Sequence, residues 1–435
     1  MGGCRTTVCF TRDNRMENLS PHTSSISEWL LSEGRKITSP AKLVGELARQ
    51  LIAADIPVFR MRVLIRTLHP QTFATHYTWL RATGETTVFS PPHEALFKPA
   101  YLQSPIAAVF EGAGTIRRRL DVPGPTLDFP FLKDLVAEGA TDYVAMPMPF
   151  QDGTINAFAI ASDRPGGFSD RDLAQVTGML PVLALLMELH SSRQTARTLL
   201  ETYIGTHSGK RVLDGLIKRG DGEKIHAVIW FCDLRESSQL AEKLPLDDYL
   251  ALLNDFFGCM AGAVLDNGGE VLRFIGDAAL AIFPFDSSCI SSNAKCNDEN
   301  SACARAVMAA RDARNRIKTL NEERTGRGEE PISFGIALHV GNVMYGNIGT
   351  PQRLEFTVIG KAANEAARLE GLCKKLGHQI LISPQFPKCA RIDKVSLGHH
   401  PLHEGGDIWE IFALSEEAQA KPAPAEDRRK HHKGG

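Results

Sequence analysis

Two aspartates sit where a folded chain can bring carboxylates together. Asp233 closes the apolar run Ala227–Asp233 (AVIWFCD), and Asp277 lies in the turn of Gly269–Phe283 (GEVLRFIGDAALAIF). Each run is bounded by polar residues or glycine, the pattern of a buried strand. A carboxylate at a strand end or in a hairpin turn meets solvent while the strand fixes its position. Two such carboxylates, joined by strand pairing, make a hard-oxygen site for Mg²⁺ or Mn²⁺. Such a site suits phosphoryl chemistry, in which metal ions hold the attacking and leaving oxygens. Taken singly, each aspartate reads first as a turn former, so the neighbouring segments decide between the two readings.

Two further segments carry groups of the same kind. Phe334–Gly349 reads as two strands about a turn at Gly341. Leu354–Glu370 reads as a short strand, a break at Gly360 and a helix on which Asn364 and Arg368, four apart, share a face. In this order the four segments resemble the catalytic domain of the class III nucleotide cyclases, the adenylate and guanylate cyclases, over about residues 224 to 413. The resemblance implies that Asp233 and Asp277 bind two Mg²⁺ or Mn²⁺ ions per active site, assisted by the backbone carbonyl of Leu234. It implies that Arg273 and Thr357 read the purine, that Asn364 orients the ribose, and that Arg368 stabilises the transition state at the α-phosphate. In this family one subunit supplies the metal aspartates and the other the remaining groups. A chain with both sets is expected to form a homodimer with two equivalent sites.

The base-reading pair is unusual. Adenylate cyclases usually carry Lys and then Asp or Thr there, and guanylate cyclases Glu and Cys. Arg273 only donates hydrogen bonds, whereas Thr357 donates and accepts. Arg273 to adenine N1 and the adenine N6 amine to Thr357 form a matching pair, so ATP is the expected substrate and cyclic AMP the product. Arg273 to guanine O6 is the alternative, giving a guanylate or mixed-specificity cyclase. Gly335 stands near a position where some members carry an additional phosphate-binding arginine. A catalytically silent, cyclase-like nucleotide-binding or relay protein is a further alternative, against which Asp233, Asp277, Asn364 and Arg368 all argue by their presence. A diguanylate cyclase expects an acidic hairpin turn, whereas Gly268-Gly-Glu-Val-Leu272 precedes its strand.

These groups need a scaffold. The strands and helices of the second half alternate as β-α-β-β-α-β with a strand pair after, which predicts a ferredoxin-like α+β cyclase domain over 224–414. Leu246, Tyr249, Leu250, Leu253, Phe257, Met260 and Val264 mark one face of a long helix, and Ala302–Leu320 a second. Asp286–Ser301 reads as a surface loop, and 415–435 as a disordered tail in which His431 and His432 are no ligands. Residues 1–25 read as a disordered extension and 26–190 as a first α/β domain. In that domain Leu43–Ile52 is helical, Phe59–Leu68 and Phe73–Leu80 are strands, and Ala140–Pro149 with Thr154–Ser162 form a hairpin around Gln151-Asp-Gly153. A closing helix spans Ser169–Leu189. This order resembles a GAF-type sensory domain, which implies an unidentified small-molecule or protein signal. Leu185, Leu189, Ser192, Ala196, Leu199 and Tyr203 then repeat as a heptad seam, predicting a helical connector within 185–223.

Composition narrows the partners. At 43% apolar, 23% charged and a net charge of −2, the chain is an ordinary globular one without the field that nucleic-acid binding needs. Cys289, Cys296 and Cys303 recur every seven residues but lack zinc-type spacing, so the cysteines read as unpaired thiols. No run reaches about 18 apolar residues, no signal peptide opens the chain, and a cytoplasmic location is expected. Met1-Gly-Gly-Cys-Arg-Thr6 formally fits a myristoylation pattern, with Met16 an alternative start.

Overall fold

The computed structural model describes residues 24–285, 292–386, 392–403 and 405–416. The chain divides in sequence at Leu199–Leu200 into two units. Unit 1 opens with α1 (Ser24–Ser32) and α2 (Pro40–Ala53). Ser39 caps α2 by accepting from Lys42 N, Pro40 supplies a ready-made first turn, and Leu43, Val44, Leu47 and Leu51 form its buried face. There follow β1 (Arg60–Arg66), β2 (Ala74–Leu80), β3 (Thr86–Phe89), α3 (Pro99–Leu102), α4 (Pro105–Phe110), β4 (Ile116–Arg119), α5 (Phe131–Ala137), β5 (Asp142–Pro149), β6 (Ile155–Ser162) and α6 (Asp170–Ile204). The sheet runs β3-β2-β1-β6-β5-β4, antiparallel at every pairing. One core lies between the sheet and α1, α2 and α6; another lies on its opposite face with α4 and α5.

The expected closing helix and the expected connector are one helix. α6 runs unbroken over 35 residues, with Pro181 inside it. On the predicted seam Leu185, Leu189 and Tyr203 are 51%, 47% and 79% exposed.

Unit 2 begins with the short helix α7 (Thr206–Leu213). It continues through β7 (Gly222–Leu234), α8 (Ser237–Lys243), α9 (Leu246–Asp266), β8 (Glu270–Ile275), β9 (Ala278–Pro284) and α10 (Ser292–Gly326). Then come β10 (Phe334–Thr350), β11 (Arg353–Ile359), α11 (Lys361–Leu376), β12 (Ile380–Ile382), β13 (Lys394–Pro401) and β14 (Ile408–Leu414). The sheet order is β13-β14-β12-β10-β7-β9-β8, with β11 paired to β10. Its centre, β10-β7-β9-β8, has the arrangement of the predicted βαββαβ core. α9 and α10 cover one face around Trp230, Phe256 and Phe283, and α11 packs on the other.

Several expectations need correction. Gly341 makes no turn: β10 is a single 17-residue strand. The glycine is there because α11 crosses close above it, and a Cβ at 341 would lie 2.5 Å from Ala362 Cβ. The buried face of α9 is Leu252, Phe256, Met260, Ala263 and Val264; of the predicted face Met260 and Val264 are buried, Tyr249, Leu253 and Phe257 pack at its edge, and Leu246 and Leu250 are 81% and 57% exposed. The helix is apolar on more than one side, and docking on the sheet selects the stripe through Phe256. Residues 292–301 are helical rather than loop. The helix is anchored by buried Ala302, Ala306, Ala309 and Ala313, and the rest of the expected loop, 286–291, lies outside the described residues. α6 and α9 are also long and apolar enough to cross a membrane by length and composition alone. Their apolar residues Val176, Met179, Leu183, Phe256 and Met260 are committed to the two cores.

The segment that leads into β7 is no loose tether. Glu270, 4% exposed, accepts from Ser208 N (3.0 Å), Ser208 Oγ (2.8 Å) and Tyr345 Oη (2.9 and 2.8 Å). The Arg211 guanidinium sits 5.0 Å from the Tyr345 ring centre and pairs with Glu223 at 2.5 Å. α7 is thereby fastened to the first residue of β8 and to β10. The N-terminal extension lies outside the described residues except Ser24 and Ser25, as do Cys289 and the tail from 417 onward.

The close crossing at Gly341 gives a direct test. Gly341→Ala is expected to lower stability by about 1–3 kcal/mol, read as a reduced denaturant midpoint at unchanged slope. Ala362→Gly in the same chain should restore part of the loss. An unshifted midpoint in Gly341→Ala would show that the strand and helix separate without strain.

Candidate active site

The aspartate pair is made by the β7–β9 ladder. Asp233 lies opposite Ala278 in the register, and Gly276-Asp277 is the two-residue link between β8 and β9. Gly276 adopts φ 63°, a conformation suited to glycine in a tight reversal. Leu234 N donates to Asp277 O at 3.3 Å, so the backbone locks the turn against the end of β7. Burial first, and the charge and hydrogen bonding of Asp277 next, push the Asp233 carboxyl up to about 6. Like charges so placed need a proton or a cation between them. The pair therefore fits a divalent cation with hard-oxygen preference. No group of three or more His, Cys, Asp or Glu side chains forms a metal cluster among the described residues. The rest of a coordination sphere would fall to backbone, water and substrate oxygens, which is the open arrangement that catalysis requires.

A second layer surrounds the pair, and only part of it was readable from sequence. Glu370 on α11 is 4% exposed, and Arg235 Nη2 lies 2.6 Å from its Oε1. Burial raises the Glu370 carboxyl to about 7; Arg235 opposes this, and the charges of Asp233 and Asp277 add to it. Gly335 faces Asp233 in the β7–β10 ladder, and a Cβ there would collide with both the Glu370 carboxylate and the Arg235 guanidinium. The glycine that stands where some cyclases carry an arginine thus makes room for a buried ion pair beside the aspartate pair. A glycine inside a strand is the signal that would have found it. Tyr249 of α9 also stands near the pair: burial, then Asp277 and Asp233, raise its hydroxyl.

The remaining expected residues fall into two groups. Arg273 on β8 reaches Glu355 on β11, Nε to Oε1 3.0 Å, with both side chains about two-fifths exposed. Glu355 and Thr357 share a face of β11 by the period of two. Thr357 is 4% exposed, and its Oγ1 has no hydrogen-bond partner. Arg273 and Thr357 thus lie on strands that pair with different neighbours, β9 and β10, and the Arg273–Glu355 ion pair, which sequence reasoning missed, connects β8 to β11. Asn364 and Arg368 project from the exposed side of α11, while Ala366 and Leu369 hold its inner side. Arg368 Nη1 lies 3.4 Å from His403 Nδ1. Among the described residues no hydrogen bond or ion pair links Asn364 or Arg368 to the aspartates of the same chain.

The raised Asp233 carboxyl fixes a pH dependence. Its folded pKa lies above the ordinary carboxylate value, so the folded state binds the extra proton. Stability therefore falls as pH rises from the ordinary carboxylate range through about 6, and the penalty is complete above that. A bound divalent cation removes the penalty and competes with the proton. Mn²⁺ should raise the melting temperature strongly at pH 8 and much less at pH 5. Asp277→Asn should stabilise the metal-free chain at pH 8 and abolish the Mn²⁺-dependent rise. An equal Mn²⁺ effect at both pH values, or one that survives Asp277→Asn, would place the cation elsewhere.

Comparison with known proteins bears on this site. Residues 222–406 match the family model described as "Adenylate and Guanylate cyclase catalytic domain". An adenylate cyclase of Anabaena cylindrica is 34% identical over 169 residues, 38% of this chain and 31% of that protein. An uncharacterised protein of Mycobacterium tuberculosis is 32% identical over 218 residues, 49% of this chain and 37% of that protein. The chain thus spans less than half the length of these curated relatives. Among solved structures, a bacterial light-regulated adenylyl cyclase is 28% identical, covering 45% of this chain and 92% of that one at a TM-score of 0.36. The guanylyl cyclase Cya2 is 26% identical, covering 45% and 95% at a TM-score of 0.36. The family match and the ordered motifs, with their aspartate pair at the sheet end, place residues 222–406 among the class III adenylate and guanylate cyclase catalytic domains.

Proposed function

We propose that the chain is a homodimeric adenylate cyclase that converts ATP into 3′,5′-cyclic AMP and pyrophosphate. The observation that carries this reading is the like-charge pair Asp233–Asp277, held by strand pairing where a divalent cation fits. Bound there, Mg²⁺ or Mn²⁺ would supply Lewis-acid activation of the hydroxyl and neutralisation of phosphate charge. The ribose 3′-oxygen forms a bond to the α-phosphorus, the bond to the pyrophosphate oxygen breaks, and the hydroxyl proton passes to solvent. Arg368 meets the charge that develops on the α-phosphate with a planar donor fork. Asn364 holds the ribose so that the 3′-oxygen stands in line. No side chain acts as a covalent nucleophile; positioning and electrostatics supply most of the rate.

The separation of the two residue sets within one chain supports a shared site. A partner's α11 would bring Asn364 and Arg368 to the aspartates of the first subunit. The unpartnered Thr357 hydroxyl supports purine binding at β11, where it would accept from the adenine N6 amine. Residues 26–190 would act as the regulatory domain of GAF type, signalling along α6.

A guanine-using enzyme is the second reading, and Glu355 is the observation that favours it. Its carboxylate lies beside Arg273 and offers the acceptor that guanine N1–H and N2–H₂ require.

Asp277→Ala and Arg368→Ala should each be inactive alone. Mixed, they should recover up to about a quarter of wild-type activity, because random pairing makes half of the dimers heterodimers with one intact site of two. No recovery despite demonstrated subunit exchange would exclude the shared site.

Substrate choice is tested by steady-state assays with ATP and GTP in Mn²⁺. Arg273→Lys should keep ATP turnover within about tenfold, since one neutral-base hydrogen bond is worth about 0.5–1.5 kcal/mol. Arg273→Glu should fall well below that. Glu355→Gln should leave ATP turnover nearly unchanged. GTP turnover by the wild type that disappears in Glu355→Gln would overturn the adenine assignment in favour of guanine.

A further inference from the structure

Unit 1 contains a cavity of about 520 Å³ between the β1–β2–β3 end of its sheet and the C-terminal half of α6. Its volume lies within the range of about 300–1,000 Å³ typical of small-molecule sites. The lining is asymmetric in charge. His69, His190, Arg193 and Arg197 border it, and no aspartate or glutamate does. Arg193 has no side-chain hydrogen bond or ion pair among the described residues; burial first, and the charge of Arg193 next, lower the basicity of His190, against a backbone hydrogen bond to Ile37. A cavity of about 800 Å³ on the other flank of the same helix segment offers a contrast. There Asp152 and Glu188 stand beside Arg66 and His93, so the charges are mixed.

The floor is apolar. Ile65 and Met187 are buried there, 2% and 1% exposed, and the Tyr77 ring adds a flat wall. The hydroxyl of Thr67 is buried at the cavity without a hydrogen-bond partner. A buried hydroxyl left unpaired is costly, and a ligand oxygen would satisfy it. With no acid in the lining, the Arg193 guanidinium repels metal cations and attracts anions. The apolar floor favours a ligand with a hydrocarbon or aromatic body over a bare inorganic ion.

We propose that this cavity binds a small organic anion, a carboxylate or phosphate monoester on a compact apolar body. The anionic group would meet Arg193 and His190, accept from the Thr67 hydroxyl, and lay its body over Ile65, Met187 and Tyr77. Arg193 and His190 belong to α6, so the ligand would bridge this helix to β1 and β2 of the same unit.

Calorimetric titration of the full chain tests this with phenyl phosphate, phenylacetate, inorganic phosphate and the neutral benzyl alcohol. The titrations are run on Arg368→Ala protein, so that the cyclase phosphate position contributes nothing. Saturable binding of phenyl phosphate or phenylacetate is expected, at least tenfold tighter than inorganic phosphate or benzyl alcohol. Which aromatic anion binds tighter separates a phosphate ligand from a carboxylate one. Arg193→Gln should weaken binding at least fivefold, and Arg193 is exposed enough that the fold should not change. Thr67→Val, close in shape, should weaken it severalfold. Three results would each overturn the proposal: no saturable binding of either aromatic anion, equal binding of benzyl alcohol, or titrations unchanged in Arg193→Gln. Binding of these anions is independent of nucleotide turnover, so its failure is distinct from failure of the cyclase reading.

Discussion

The pairing of β7 with β9 forces two carboxylates together, and the surrounding structure answers that repulsion. The ladder leaves no freedom to separate them, because Asp233 terminates a buried strand and Asp277 is locked in a two-residue turn. Arg235 lies close enough to lower the Asp233 carboxyl, yet it is already engaged by Glu370. The nearest cation is thereby shared among acids and does not neutralise the pair. A site left under-compensated in this way is poised to take an external cation, at a cost in stability to the empty protein.

The acidic cluster also explains the small residues around it. Gly335 is the partner of Asp233 on the adjacent strand, and its missing side chain admits the Arg235–Glu370 pair. Gly341, six residues along the same strand, admits Ala362 and lets α11 lie close to the sheet. Both glycines set the height of α11, which carries Glu370 inward and Asn364 and Arg368 outward.

Much of this arrangement can be read in the sequence. The strand runs, the Gly276-Asp277 turn and the four-residue spacing on α11 are local signals, and the structure contains each of them. The errors share a physical origin. Gly341 was read as a turn because sequence does not distinguish a glycine that bends the chain from one that makes room for a neighbour. The predicted face of α9 holds at Met260 and Val264, with Tyr249, Leu253 and Phe257 at its edge, and fails at Leu246 and Leu250, because a helix with two apolar stripes offers its periodicity no unique solution. Glu355 and Glu370 went unnoticed because their importance lies in partners distant in sequence, Arg273 and Arg235. Pairwise contacts of that kind depend on sheet order, which the motifs imply only through resemblance.

The buried Glu270 network bears on where the catalytic unit ends. The family match starts at residue 222, yet two of the groups that satisfy Glu270 belong to Ser208. A fragment cut at 222 would keep a carboxylate in an apolar setting with Tyr345 as its remaining partner. Each lost partner of a buried charged group costs about 1–3 kcal/mol or more. Such a fragment would also uncover the Tyr345 ring that Arg211 covers. A piece that keeps this network therefore starts upstream of Ser208, so the boundary set by bonding and the one set by sequence similarity are different places in the chain.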